Sequence, residues 1–261
     1  MHATLQSPAA THRHHAMPTR WAHRAPVEVG PQGNHLLAAL PASDWQRWSP
    51  QLQLVEMPLG QVLYESGCNL SHVHFPTSSI VSLLHETASG ASAEVATVGN
   101  DGVVGIPLLT GGLSTNGRAE VQSAGLGYRL NRQVVIDAFN AGGALTQLLL
   151  RYTQALLTQV AQTALCNRHH SVEQQVCRLL LLNLDRAQGN CLQMTQERLA
   201  GKLGVRRESV TGVALLLQRE GLIRYARGLV EVLDREGLED RACECYGEVK
   251  HECDRLLPSG R

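Results

Sequence analysis

Between residues 36 and 130 the apolar positions fall in short, often alternating runs, each closed by Gly, Asn, Ser or Pro. Side chains two apart share one face of a strand, so such runs predict half-buried strands. They lie at 52–57, 62–64, 73–75, 80–84, 94–98, 119–122 and 128–130. Turn signals separate them at Pro58-Leu59-Gly60, Ser66-Gly67, Ser89-Gly90, Gly99-Asn100-Asp101-Gly102 and Gly111-Gly112. Many short strands at this spacing predict a small barrel or sandwich, preceded by a short helix over 36–48. From residue 132 the period lengthens to that of a helix, expected over 132–167 with a break at Gly142-Gly143. Within it Leu145, Leu149, Tyr152, Leu156, Gln159, Thr163 and Cys166 recur at spacings of four and three. Such a seam suits two parallel helices packed on each other; the alternative is a helix lying on the chain's own strands. Residues 172–184 predict a further amphipathic helix.

Residues 195–217 carry the most specific pattern, that of a helix-turn-helix. Leu199, Ala200 and Leu203 form the apolar face of a first short helix, and Gly204 supplies a turn open to positive φ. Val210, Ala214 and Leu217 then give a second helix one buried face. Arg206, Arg207, Glu208, Ser209 and Thr211 crowd its first two turns, the part that reaches base edges in the major groove. A guanidinium fork can donate two bonds to guanine and a carboxylate can accept from cytosine N4. The polar cluster at the groove-entering end and the hairpin that follows set this apart from an ordinary amphipathic helix pair. The hairpin has apolar runs at 222–225 and 229–233 around Ala226-Arg227-Gly228, a two-stranded wing that places Arg224 and Arg227 for phosphates. Over 195–235 eight Lys and Arg face five acids, a local excess of +3 on a chain of net charge 0. That excess supplies the salt-dependent part of DNA affinity.

Beyond the hairpin, Leu238, Ala242, Cys245, Val249, Cys253 and Leu256 form one apolar stripe if the tail is a single helix. In that helix Cys243 and Cys245, and likewise His251 and Cys253, would point away from each other. The tail is therefore expected to pack rather than to hold a metal, with Cys243 off the stripe.

At 261 residues the chain is long enough for two domains with their own cores. Neutral net charge argues against a protein that coats nucleic acid and is compatible with one local reading head. Seven irregularly spaced cysteines read as reduced thiols in a cytoplasmic protein rather than a disulfide framework. No apolar run reaches membrane-spanning length, so no membrane partner is expected. The N-terminal segment, with His12, His14, His15 and His23 among Arg13, Arg20 and Arg24, lacks a hydrophobic stretch and is expected to be a disordered arm rather than a secretory signal. No Gly-x-Ser-x-Gly, Gly-x-x-x-x-Gly-Lys or His-Glu-x-x-His motif occurs, so no enzyme is expected.

A strand domain, a seam helix and a winged helix-turn-helix in this order resemble the Crp/Fnr regulators, the family of the cyclic AMP receptor protein. The resemblance spans roughly residues 35–233 and is most specific over 204–210. It implies an α+β chain: an N-terminal cyclic-nucleotide-binding-like β-barrel (jelly roll), a long dimerisation helix and a C-terminal winged helix-turn-helix. The expected division is an arm over 1–33, an effector domain over 34–141, the dimerisation helix over 142–168 and the DNA-binding domain with a C-terminal helix over 169–261. The resemblance places Arg207 and Glu208 on base-contacting positions and Thr195 on a phosphate-binding one, while Gly212 stands where the receptor protein has a second base-reading Arg. It implies double-stranded DNA and a second copy of the chain as partners, with RNA polymerase as a further one. Similar tails occur on relatives of this type, which favours a docking helix at the C-terminus.

The same resemblance makes Gly105, Ile106 and Arg118 the candidate effector pocket. Ile106 stands where nucleotide-binding members have a ribose-binding Glu, and the segment 114–119 has no Arg-Ser pair for the cyclic phosphate. No cyclic AMP is therefore expected, and the effector is unknown. An N-terminal arm without cysteine argues against the iron–sulfur cluster of the Fnr branch. His72, His74 and His85 read as surface or structural residues rather than haem ligands. The competing functional reading is a ligand sensor that works through protein contacts and keeps a vestigial DNA-binding head.

Overall fold

The computed structural model describes residues 30–112 and 114–257. The His-rich arm lies outside them. The expected helix over 36–48 is two helices, α1 (His35–Ala38) and α2 (Ala42–Trp48), parted at Pro41, whose fixed φ and missing N–H suit a helix start. Asn34 caps α1 by accepting from the Leu36 and Leu37 amides, and its own amide donates to the Pro76 and Gly102 carbonyls. Seven strands follow as the alternation predicts: β1 (Gln53–Met57), β2 (Val62–Tyr64), β3 (His72–Pro76), β4 (Ile80–Glu86), β5 (Ser92–Val98), β6 (Gly117–Ser123) and β7 (Gly125–Asn131). They form two antiparallel sheets, β1-β7-β3 and β2-β6-β4-β5. The sheets stack about Met57, Val81, Val98, Val104, Ala119 and Val121, all nearly inaccessible to water. No ladder joins them among the described residues; the domain is an open roll of two sheets rather than a closed barrel.

Helix α3 (Arg132–Ala141) and helix α4 (Ala144–His169) meet at Gly142 and Gly143, both at positive φ, where a Cβ would be strained. The row Leu145, Leu149, Tyr152, Gln159, Thr163 and Cys166 is buried within this one chain, and Leu156 is half-buried against the roll. The expected dimer seam is thus an intramolecular seam. Gly102 shows why: a Cβ there would fall 2.3 Å from the Tyr152 hydroxyl, so α4 rests directly on the backbone of the roll. The residues that face away from the roll, Leu150 (45 % exposed) and Leu157 (58 %), belong to the neighbouring row.

Helix α5 (Val172–Leu184) starts at a capping box between Ser171 and Gln174. The C-terminal part continues with β8 (Cys191–Gln193), α6 (Gln196–Leu203), α7 (Arg207–Arg219), β9 (Ile223–Ala226) and β10 (Leu229–Val232), in a sheet of order β8-β10-β9. Its core gathers Leu180, Leu181, Leu199, Val210, Leu217, Ile223 and Val230. The C-terminal segment is not one helix. Helix α8 (Arg235–Arg241) stops at Ala242, whose backbone is extended, and α9 (Glu244–Leu256) begins beyond it with Cys243 as N-cap. Leu238, Cys245 and Val249 are buried as the stripe requires, but Cys243 is buried too, at 4 % exposure.

Candidate nucleic-acid interface

Thr195 caps α6, its hydroxyl accepting from the Arg198 amide. Gly204 ends that helix in the left-handed region, at φ 64° and ψ 28°. This turn swings the chain into α7 with Arg206 at its N-cap, and Arg206, Arg207, Glu208 and Ser209 are all exposed at its head. Val210, Ala214 and Leu217 face the core, so the same helix is anchored on one side and free at its tip. Arg207 Nε lies 3.9 Å from Glu197 of α6, both exposed, a contact too loose and too wet to immobilise the guanidinium. Thr211 is turned inward: its Oγ1 sits 2.8 Å from Gln196 Oε1 and 3.0 Å from the Arg207 carbonyl. It ties the two helices together rather than extending the polar tip.

The wing lies beside this tip. Its loop is the two residues Arg227 (φ 51°) and Gly228 (φ 79°), and two consecutive positive φ values match the right-handed twist of a tight hairpin. The Met194 amide donates to the Gly228 carbonyl over 2.8 Å, and a Cβ on Gly228 would approach Thr195 Cγ2 to 3.1 Å. The wing turn therefore sits against the exposed start of α6, the end of a helix that suits a phosphate. Tyr225 braces the wing through its hydroxyl to the Met194 carbonyl, 2.7 Å, and through its amide to Gln218 of α7, 2.9 Å. Arg227 is exposed. Arg224 is exposed as well, but pairs with Glu231 across the hairpin at 2.9 Å.

The expected basic face is smaller than the sequence count. Arg235 is held by Asp185 and Glu239 at 2.6 and 2.7 Å. Lys202 points the other way, into the outer face of the β4–β6 sheet. There its ammonium meets Glu94, Gln122 and Ser82, with only 8 % of its side chain exposed and 5 % of Glu94's. Burial pulls the Lys202 pKa below its ordinary value, and Glu94 opposes that pull. Two more ties join this C-terminal part to the roll: Asn183 accepts from Gln122, and Arg186 reaches both carboxylate oxygens of Asp101 at 3.1 and 2.6 Å.

The candidate effector residues face different neighbours. Gly105, at φ 117°, backs onto Val73 of β3, where a Cβ would come within 3.0 Å, and Ile106 packs half-buried in the core beneath. Arg118, on β6, is caged by Glu65, Glu86 and Glu120 at 3.1–3.4 Å. A guanidinium so surrounded has its charge taken up within the fold. A cleft of about 320 Å³ opens elsewhere, with Asn100, Asp101, Arg186 and Cys253 in its wall. His74 is half-buried on β3 and its pKa is lowered to about 4, by desolvation first and then by His72 and Arg129. Away from all of these, Cys166, His170, Cys243 and Cys245 bring one ligand atom each within 4.8 Å of one another.

Residues 174–241 match the model of the Crp-like helix-turn-helix domain. Among solved structures the chain is similar to FixK2 from Bradyrhizobium japonicum, at 16 % identity and a TM-score of 0.64, with 74 % of this chain covering 98 % of that one. A CRP-family transcriptional regulator from Thermus thermophilus gives 20 % identity and a TM-score of 0.59, over 72 % and 96 % of the two chains. The c-di-GMP-responsive global regulator CLP from Xanthomonas campestris gives 17 % and 0.56, over 74 % and 99 %. At these identities the likeness is one of fold. No curated protein matches by sequence.

Proposed function

We propose that this chain, a Crp/Fnr-like DNA-binding transcription regulator, reads duplex DNA as a symmetric dimer in the cytoplasm through Arg206, Arg207, Glu208 and Ser209. The observation that carries the reading is the tip of α7: four consecutive polar residues, all exposed, lifted by a left-handed glycine turn on a helix whose other face is buried. A helix end with that profile fits the major groove, where Arg207 can donate to guanine and Glu208 can accept from cytosine. Thr195, the α6 amides and Arg227 would hold the flanking phosphates. Double-stranded DNA is the partner; RNA polymerase is a further one for a protein that regulates transcription, and no catalytic role is assigned.

The dimer seam follows from the correction to α4. Thr146, Leu150, Thr153, Leu157, Val160 and Ala164 recur at spacings of four and three along the face turned away from the roll, and every one is partly or fully exposed. The hydroxyls of Thr146 and Thr153 are already bonded to the Phe139 and Leu149 carbonyls, which leaves their methyl groups for a partner. Two copies of this row supply the a/d packing of a parallel helix pair, and a dimer gives two reading heads for two half-sites about one helical turn apart. The effector domain is proposed to take no cyclic AMP: Ile106 cannot accept from a ribose hydroxyl, and Arg118 already serves three carboxylates. A gel-shift series tests the DNA reading: Arg207→Ala weakens binding to a selected operator about 5- to 150-fold, the equivalent of 1–3 kcal/mol for a base contact. Unchanged binding on every operator overturns it.

A further inference from the structure

We propose that Cys166, His170, Cys243 and Cys245 form a four-ligand site for a thiophilic divalent cation of the zinc class, and that the cation clamps the hinge between α4 and the reading head. The four residues come from two chain ends that meet. Cys166 lies in the last turn of α4 and His170 is its C-cap; Cys243 is the N-cap of α9 and Cys245 lies in its first turn. The break at Ala242-Cys243 is what lets two cysteines two apart converge, since only one of them is inside the helix. Their ligand atoms all lie within 4.8 Å of one another. Cys166 Sγ is 3.5 Å from Cys243 Sγ, and Cys245 Sγ is 3.6 Å from His170 Nδ1. A tetrahedron with metal–sulfur bonds of about 2.3 Å and metal–nitrogen bonds of about 2.0 Å has edges of about 3.8 Å between sulfurs and about 3.5 Å between sulfur and nitrogen. The side chains already stand near those edges.

Three independent features support a cation rather than a packed group of thiols. The first is the outer shell. His170 turns Nδ1 toward Cys245 and Nε2 toward Glu244 Oε1, 3.3 Å away, the carboxylate–histidine arrangement that fixes the tautomer and ring of a metal-bound imidazole. The second is charge. Three thiolates and a divalent cation leave one net negative charge, and the buried guanidinium of Arg178, bonded to Thr163 one turn before Cys166 on α4, stands nearby to offset it. The third is seclusion: the three cysteines are 0–4 % exposed, so the set is closed, as in structural rather than catalytic sites. Sulfur and imidazole donors select zinc-class ions over magnesium or calcium. A disulfide would use only two of the thiols and leave the Cys245–His170–Glu244 alignment without a role. Each thiol passes its proton to water as the cation binds.

The place of the site gives it a consequence. The hinge between α4 and α5 is His170-Ser171, and a cation bound here joins α9, the last helix of the head, to the end of α4. The inference stands on the cluster alone and does not depend on the DNA reading.

The test uses the full chain purified under reducing conditions without chelator. Elemental analysis is expected to give one zinc per chain. After zinc is removed, cobalt(II) is expected to give the thiolate charge-transfer band and the strong visible absorption of a tetrahedral site. Cys245→Ser removes the tetrahedral spectrum. Should that variant fail to fold, Glu244→Gln decides: Glu244 is 70 % exposed and no ligand, and its loss weakens cobalt affinity about 10- to 100-fold without changing the spectrum. The proposal is overturned if the reduced chain retains no stoichiometric zinc after equimolar loading. A cobalt spectrum that is octahedral or unchanged in Cys245→Ser, a cobalt affinity unchanged in Glu244→Gln, or a Cys166–Cys243 disulfide in protein isolated without oxidant overturns it equally.

Discussion

Lys202 of α6 joins the helix-turn-helix to the β2-β6-β4-β5 sheet, and removing its partner exposes how much that junction holds. In Glu94→Leu the ammonium stays at 8 % exposure with Ser82 and Gln122 but no counter-charge. Breaking a buried pair in this way costs about 3–5 kcal/mol. The lysine has one escape, which is to lose its proton. From a reference pKa of about 10.4 that costs at most about 4.6 kcal/mol at pH 7, at about 1.36 kcal/mol per pH unit, and only about 1.9 kcal/mol at pH 9. Burial already lowers this pKa in the native chain, so deprotonation is the route the fold favours. The penalty should therefore be about 3–5 kcal/mol at pH 7 and about 2 kcal/mol at pH 9. The double variant Glu94→Leu/Lys202→Met replaces both charges by apolar groups and should be nearly neutral. Urea unfolding followed by circular dichroism at the two pH values measures all of these. A single-variant penalty below about 1 kcal/mol at pH 7, or one that does not shrink at pH 9, refutes the buried-clasp account.

In Leu157→Glu, two carboxylates meet across the proposed α4 seam, and sedimentation equilibrium should show a monomer where the parent chain is a dimer; an unchanged dimer removes that seam. Arg227→Ala should lower the slope of log affinity against log salt by about 1, whereas Arg224→Ala, whose charge is shared with Glu231, should lower it by less; equal effects would contradict the pairing. His74, with its folded pKa lowered to about 4 against an unfolded value near 6.5, resists a proton that the unfolded chain accepts. Native stability should thus fall as pH drops from 6.5 toward 4, by up to roughly 3 kcal/mol from this group. His74→Gln should flatten that part of the stability profile, and superimposable profiles would rule the group out.

Local pattern made the strands, the Gly142-Gly143 break and the Gly204 turn legible, because each depends on residues within a few positions. Strand β2 has the expected bounds, and the others differ by a residue or a few at their ends. Periodicity marks which helical face is apolar without saying what covers it. The α4 row therefore read as a dimer seam until the approach of Tyr152 to Gly102 showed it resting on its own roll. Strand β8 carries one buried apolar residue, Leu192, too few for an alternation, and it is a strand because β10 pairs with it. Lys202 counted as a solvated charge because Glu94 lies more than a hundred residues away in sequence. The cysteine cluster was hidden by carrying one helical phase through residue 242. The extended Ala242 resets that phase, and Glu244, an acid in the first turn of α9, is the signal of a new helix start.

Selection of bound fragments from random duplex DNA, repeated with the Arg207→Ala/Glu208→Ala variant, addresses the reading head most directly. The account predicts an enriched inverted repeat with half-sites about one helical turn, ~34 Å, apart. It further predicts that the double variant loses base preference within each half-site while keeping the spacing. Enrichment of no motif, or of the same motif by both proteins, would contradict it.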